Sequence, residues 1–263
     1  MYEKMLAIGM AAVMTISSTS FAFAGQNKPV KSDDNIIDLL VSSGIYDLKE
    51  EKRLTDGTKM YSITIDGADT EITEKEATDG MVYTFDDGLL SNEVILTNSG
   101  DIFLDGKRVN VIEEGTEDIR AISPRAYIET WETSSTPYAP GPYNVGGALK
   151  ASTVDWDKKV NQVTLSALAF VVVTAILGPL EGVAAARGAY NGLAEAYDWL
   201  RAADPDATNL WVERRIWTNN KPNTSSNPME YYSWIEVKYY KNKNSATAIG
   251  DGSFYGLQKI TNH

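Results

Sequence analysis

VNQVTLSALAFVVVTAILGPLEGVAAARGAYNGLAEAYDWLRA, residues 160–202, is the stretch whose reading decides the fold. Positions 160–180 hold no charged residue, a span of 21. At ~1.5 Å per residue a helix of that length is about 31 Å long, close to the thickness of a bilayer's hydrocarbon core. Asn161, Gln162, Thr164 and Ser166 dilute the start, so the densely apolar part is the 13 residues 165–177. A run that short suits a buried core helix better than a membrane span. Val171, Val172 and Val173 would also fit a strand, but the run exceeds strand length and a helix is expected. Gly178-Pro179 closes one helix and opens the next.

The second segment places Val183, Ala186, Tyr190, Leu193, Tyr197 and Leu200 in the alternating three- and four-residue spacing of a packed seam. Another face carries a small residue at every fourth position: Ala184, Gly188, Gly192 and Ala196. Glycine in a helix costs about 1 kcal/mol relative to alanine, so two of them imply that a second backbone comes close on that side. The expectation is a hydrophobic helical hairpin over 150–204 that buries both arms, in a protein core or in a bilayer. Leu168, Val171, Val172, Ile176, Gly188 and Gly192 are the residues expected to insert or to pack helix on helix. The small-residue face could equally join two copies of the chain.

On the N-terminal side, residues 1–24 read as an export signal. Lys4 is a short positive start, 5–16 an apolar core, and Ala22-Phe23-Ala24 a small-residue cleavage site ending at Ala24. The chain is therefore expected to be secreted. It contains no cysteine, which excludes disulfides and thiol chemistry and fits a Gram-positive exporter. Charge is unevenly placed. Residues 25–125 hold 11 Lys and Arg against 22 Asp and Glu, a net of −11, while 126–263 hold 12 against 13, a net of −1. Nucleic acid is excluded as a partner, since phosphate binding needs a basic face.

Within the acidic part a short helix is expected after Asp33-Asp34, ending at Gly44. Strands are expected at 60–65, 81–85, 93–97, 101–104 and 107–112, with Asp66-Gly67 and Asp105-Gly106 as hairpin turns. Residues 25–122 thus form an acidic α+β leader or pro-domain. Residues 123–149, rich in Pro, Gly and Tyr, read as a connector, with maturation expected after Arg125, beside Pro124 at the charge step. The tail, 205–263, reads as an aromatic β-hairpin or three-stranded sheet built on 209–217 (NLWVERRIW) and 230–240 (EYYSWIEVKYY). In the second of these, odd and even positions both carry rings, so one face packs the hairpin and the other meets solvent. Trp211, Trp217, Tyr232, Trp234 and Tyr240 are the candidate aromatic surface, for glycan stacking or for lipid headgroups, against the plainer reading of an ordinary β core. The fold class expected is α+β, with the helical hairpin at its centre.

Catalytic signals are scarce. The single histidine, His263, excludes Ser-His-Asp triads and His-ligated zinc, and neither a phosphate-binding loop nor a dinucleotide fingerprint is present. Carboxylate pairs such as Asp86-Asp87, Glu113-Glu114 and Asp155/Asp157 leave a glycan hydrolase as a lesser alternative, without diagnostic spacing. No catalytic, metal-binding or cofactor residue is assigned. An export signal, an acidic leader and a near-neutral part with a glycine-rich hydrophobic segment form a layout that resembles large, unmodified bacteriocin precursors of Gram-positive bacteria. That resemblance implies an antibacterial protein acting at a target cell's membrane or envelope. The alternative is a secreted envelope- or glycan-binding module in which the hairpin is simply core.

Overall fold

The computed structural model describes residues 36–114, 127–155, 158–177, 182–219, 221–225 and 228–262. A short helix, α1 (Ile36–Ser42), leads into seven strands: β1 (Asp47–Arg53), β2 (Lys59–Ile65), β3 (Ala68–Ala77), β4 (Gly80–Asp86), β5 (Ser91–Thr97), β6 (Ile102–Leu104) and β7 (Lys107–Arg108). They form one antiparallel meander in chain order. Its turns follow the Asp-Gly chemistry of tight hairpins. Asp66 and Asp105 both sit at φ 48°, followed by Gly67 at 79° and Gly106 at 75°, the pair of left-handed residues such turns require. Alternation then buries Tyr61, Ile63 and Ile65 of β2, Ile72 of β3 and Phe85 of β4 on one face. β1 (DLKEEKR) lies at the sheet edge, where charged side chains protect its open backbone groups.

Past Val109 the chain changes sheets. β8 (Asn110–Glu114) pairs with β10 (Tyr143–Asp155) and not with β7. With β9 (Tyr127–Ser134), β11 (Asn209–Asn219), β12 (Met229–Tyr240) and β13 (Gly250–Asn262) they build a six-stranded antiparallel sheet in the order β8-β10-β11-β12-β13-β9. Between the sheets lie a 3-10 turn (Val160–Gln162), α2 (Leu165–Leu177) and α3 (Val183–Ala203).

This corrects the expected fold class. The molecule is mostly β, with three α-helices among the described residues, and no helical hairpin stands at its centre. α2 turns its Phe170 ring onto Tyr83 and Phe85 of β4, with centroids 4.6 and 5.4 Å apart. α3 lies on β13 instead. A methyl group placed on Gly188 would come 2.9 Å from Ser253 O and 3.0 Å from Phe254 Cδ1, and one on Gly192 would come 2.7 Å from the carbonyl carbon of Asp251. Gly250 and Gly252 answer them from the strand, since a methyl on either would overlap the carbonyl oxygen of Gly192 or Gly188. At Gly188 and Gly192 the small-residue face thus receives a strand of its own chain, where a helix was expected. The stretch 123–149, expected to be an irregular connector, contains β9 and the start of β10, and 110–114, expected in the leader, belongs to the C-terminal sheet. The tail is accordingly one part of a six-stranded sheet and not a free-standing hairpin or three strands. Strand pairing between distant segments satisfies these backbones, which local composition does not reveal.

The middle of α2 is sealed on every side, with residues 167–173 at most 1% exposed. Thr164 caps its start by accepting the Ala167 N–H at 3.1 Å. Polar contacts bind the first sheet to this layer. Asn92 (1% exposed) accepts the Thr164 N–H through Oδ1 at 2.8 Å and donates Nδ2 to Gln162 O at 3.0 Å. Tyr46 donates to Ser166 O at 2.7 Å, and Lys158 pairs with Asp105 at 2.7 Å. Both sheets therefore share one helical layer.

Candidate functional site

Alternation along β11 and β12 decides which rings can meet a ligand. Leu210, Val212, Ile235, Val237 and Tyr239 share the inner face of the sheet and are fully buried, and Tyr239 donates its hydroxyl to Ala189 O of α3 at 2.6 Å. The opposite parity faces outward, and the register puts Trp211 beside Tyr240, Glu213 beside Lys238, Arg215 beside Glu236 and Trp217 beside Trp234. Tyr255 of β13 is opposite Trp234, and Leu257 is opposite Tyr232. The five aromatic residues singled out from the sequence therefore share one sheet face. It is an alternating surface, with rings at both ends and a charged band of Glu213, Arg215, Glu236 and Lys238 between them.

The rings are held in place. Trp217 donates its indole N–H to Glu236 Oε2 at 2.8 Å, Tyr240 its hydroxyl to Glu213 Oε2 at 2.7 Å, and Tyr232 its hydroxyl to Glu230 Oε2 at 2.8 Å. Those carboxylates are themselves engaged: Arg215 sits 2.9 Å from Glu213, and Lys238 3.2 Å from Glu236. Burial and then the bond to Glu213 push the Tyr240 phenol up to about 12, while for Tyr232 the bond to Glu230 is the first cause of an upward shift. Each ring is thus a neutral platform of fixed orientation at any physiological pH. Binding to it loses little side-chain freedom.

One further segment crosses this face among the described residues. Residues 135–142 leave β9 at one sheet edge and return to β10 past β13, β12 and β11. Asn219 ties the segment down by donating Nδ2 to Pro140 O at 3.0 Å, and Tyr143 donates to Ala139 O at 2.8 Å. The Tyr143 ring lies 5.6 Å from that of Tyr255. Tyr143 and Tyr255 were not singled out from the sequence. Their parity is meaningful only once the strand register is known, and the same holds for Glu213, Glu230 and Glu236.

The loop 241–249 between β12 and β13 has a hollow on each side. One, about 570 Å³, runs along α3 and is lined by Glu195, by Trp199 (40% exposed) and by Lys241, which pairs with Asp204 at 2.6 Å. The other, about 310 Å³, lies at the end of the aromatic face and is lined by Asn209, Trp211, Asn242, Lys243 and Asn244.

The remaining sequence candidates lie elsewhere. Leu168, Val171 and Val172 are interior at 0% exposure, Ile176 is in the last turn of α2, and Gly188 and Gly192 lie under β13. Leu168, Val171, Val172, Gly188 and Gly192 do not reach the aromatic face. Ala24 and Arg125 fall outside the described residues. No described helix is long and apolar enough to cross a membrane, and no group of three acidic or histidine side chains able to hold a metal occurs among the described residues. The chain matches no protein-family model, no curated protein and no solved structure.

Proposed function

We propose that this is an exported protein that docks on the saccharide-bearing envelope of other bacteria through the outer face of its six-stranded sheet, and acts there as an antibacterial protein of the bacteriocin type. One observation carries the docking. Trp217, Tyr232 and Tyr240 are each locked by a carboxylate on a sheet face where Trp234 and Tyr255 extend the apolar area. Flat rings offer the C–H faces of sugars an apolar surface, and the band of Glu213, Arg215, Glu236 and Lys238 offers donors and acceptors to hydroxyls. An ordinary core would turn such rings inward, and the inner face is already complete without them. The layout of export signal and acidic unit supports the bacterial envelope as the place of action. α2 and α3 then serve as the support that stiffens the platform.

The test is retention of the exported protein on purified cell-wall sacculi, together with growth inhibition of related bacteria. Replacing Trp217 and Trp234 by Ala together should abolish retention at a temperature where circular dichroism shows parent and variant both folded, although the loss of two part-buried paired rings lowers the melting temperature. Unchanged retention sinks the reading. A second reading, permeabilisation of membranes by α2, is favoured by the position of its uncharged run under the acidic sheet, whose removal would expose Phe170. Dye release from anionic vesicles, with and without proteolysis, supports it if leakage appears only after cleavage.

A further inference from the structure

We propose that the aromatic face takes an uncharged saccharide chain, centred on Trp234, and rejects acidic ones. The inference rests on the envelope-docking reading and names its ligand class. The cations of the face are matched within it. Arg215 sits 2.9 Å from Glu213 and Lys238 3.2 Å from Glu236, while Lys259 of β13 pairs with Glu132 of β9. Glu213 and Glu236 each give one oxygen to the cation and the other to a ring, Tyr240 or Trp217. Glu230, which holds Tyr232, adds negative charge at one end. A ligand carboxylate or phosphate therefore meets no unmatched cation in this band, and the net charge of −12 repels it from a distance.

The groups left open on the face are neutral. Trp234 lies on β12, the strand between β11 and β13, with Trp217 opposite on one side and Tyr255 on the other. Trp217 donates its indole N–H to Glu236, but Trp234 makes no side-chain hydrogen bond or ring contact among the described residues. Its N–H is not shut away from solvent. Ser253 stands opposite Glu236 on the same face, and neither its hydroxyl nor that of Tyr255 has a hydrogen-bond partner among the described residues. One N–H donor and two hydroxyls that both donate and accept thus surround an indole plane. Such a set satisfies the hydroxyls of a pyranose while the indole covers its C–H face. An acidic ligand would have to break an ion pair already formed, and nothing would offset the desolvation of its charge.

Calorimetry on the exported chain tests this with two probes of equal length, neutral chitotetraose and a tetrasaccharide alternating glucuronic acid with N-acetylglucosamine, each at low and high salt. Chitotetraose should bind about tenfold more tightly or better. Its affinity should change by less than about twofold with salt, whereas the acidic probe should bind better as salt screens the repulsion. Trp234→Phe keeps a ring and removes the N–H, and should weaken chitotetraose about two- to tenfold. Replacing Glu213 and Glu236 by Gln together leaves Arg215 and Lys238 unmatched, and should raise the affinity for the acidic probe and make it fall with salt. Circular dichroism establishes that parent and variants are folded at the assay temperature. Binding of the acidic probe as tight as that of chitotetraose, or chitotetraose binding that falls steeply with salt, overturns the proposal. So does an unchanged affinity in Trp234→Phe, or an acidic-probe affinity that the double Gln variant does not raise. If sacculi are retained through Trp217 and Trp234 while chitotetraose does not bind, the neutral-chain assignment is wrong and the docking face stands. If neither sacculi nor chitotetraose is bound, both fall.

Discussion

Gly192→Ala is the sharpest test of how the layers meet. In an isolated helix the change is favourable by about 1 kcal/mol, because alanine loses less backbone freedom than glycine. In this protein the new methyl would lie 2.7 Å from the Asp251 carbonyl carbon, 2.9 Å from Asp251 Cα and 2.9 Å from Tyr239 Cδ2, where ordinary contact begins near 3.4 Å. Two of the three obstacles are main chain, held in the ladder between β13 and β12, and cannot swing aside. The third is a fully buried ring anchored to Ala189 O. α3 would have to lift by about 0.7 Å, the difference between 2.7 and 3.4 Å, along a surface that also includes Gly188. Overpacking of this kind costs roughly 1–3 kcal/mol and more when the neighbour is rigid, so it outweighs the propensity gain. The expected net loss is about 1–2 kcal/mol. It should be read as a lower urea midpoint at unchanged slope. Asn191→Ala, one residue earlier on the exposed side of α3, is the control and should be neutral or slightly stabilising. Gly250→Ala has no propensity to gain and aims its methyl at Gly192 O, so it should be the worse of the two glycine variants. If Gly192→Ala is more stable than the parent, the close approach of α3 to β13 is wrong.

Other expectations follow from the same contacts. Val171→Asp puts an unpaired charge where exposure is 0%, and should cost several kcal/mol or prevent folding, visible as a collapsed thermal transition. Phe170→Ala removes the ring between Tyr83 and Phe85 and should cost about 3–5 kcal/mol by chemical denaturation. Asn92→Ala strands the Thr164 N–H and Gln162 carbonyl and should cost about 1–3 kcal/mol, with early loss of amide protection in 162–168 by hydrogen exchange. Burial opposes ionisation of Asp105, yet Lys158, the Glu93 N–H and Asn92 together hold its carboxyl below the ordinary range. A lowered folded value means this stabilisation is present above about pH 4 and is lost as pH falls through the folded value. Asp105→Asn should therefore lower stability at pH 7 and make it less sensitive to acid below pH 4, and an unchanged acid slope would contradict the clamp.

Much of the local structure is legible in the chain itself. Period-two alternation marks β2, β4, β5 and β12, the Asp-Gly pairs mark two hairpins, and the uncharged run marks α2, because each signal concerns residues within one element's length. β1 and β3 are harder to read. DLKEEKR has no apolar alternation and ADTEITEKEA has little, and their strand state comes from pairing with β2 and β4. β9 and β10 are obscured by the Pro- and Tyr-rich segment between them, and they become strands by pairing with β13 and β11, more than 50 residues further along.

The sequence by itself therefore determines where helices, turns and two-faced strands lie, and that Gly188 and Gly192 must meet something close. Only the tertiary structure decides that this something is Gly250 and Gly252 of a strand, that α2 is covered by Tyr83 and Phe85, and that Trp217, Tyr232 and Tyr240 are locked by carboxylates from neighbouring positions. The physical reason is range. A side-chain period is set by backbone geometry within a few residues. A partner surface is chosen by which distant segments can bury apolar area and satisfy backbone groups together, and that choice is made by the whole chain at once.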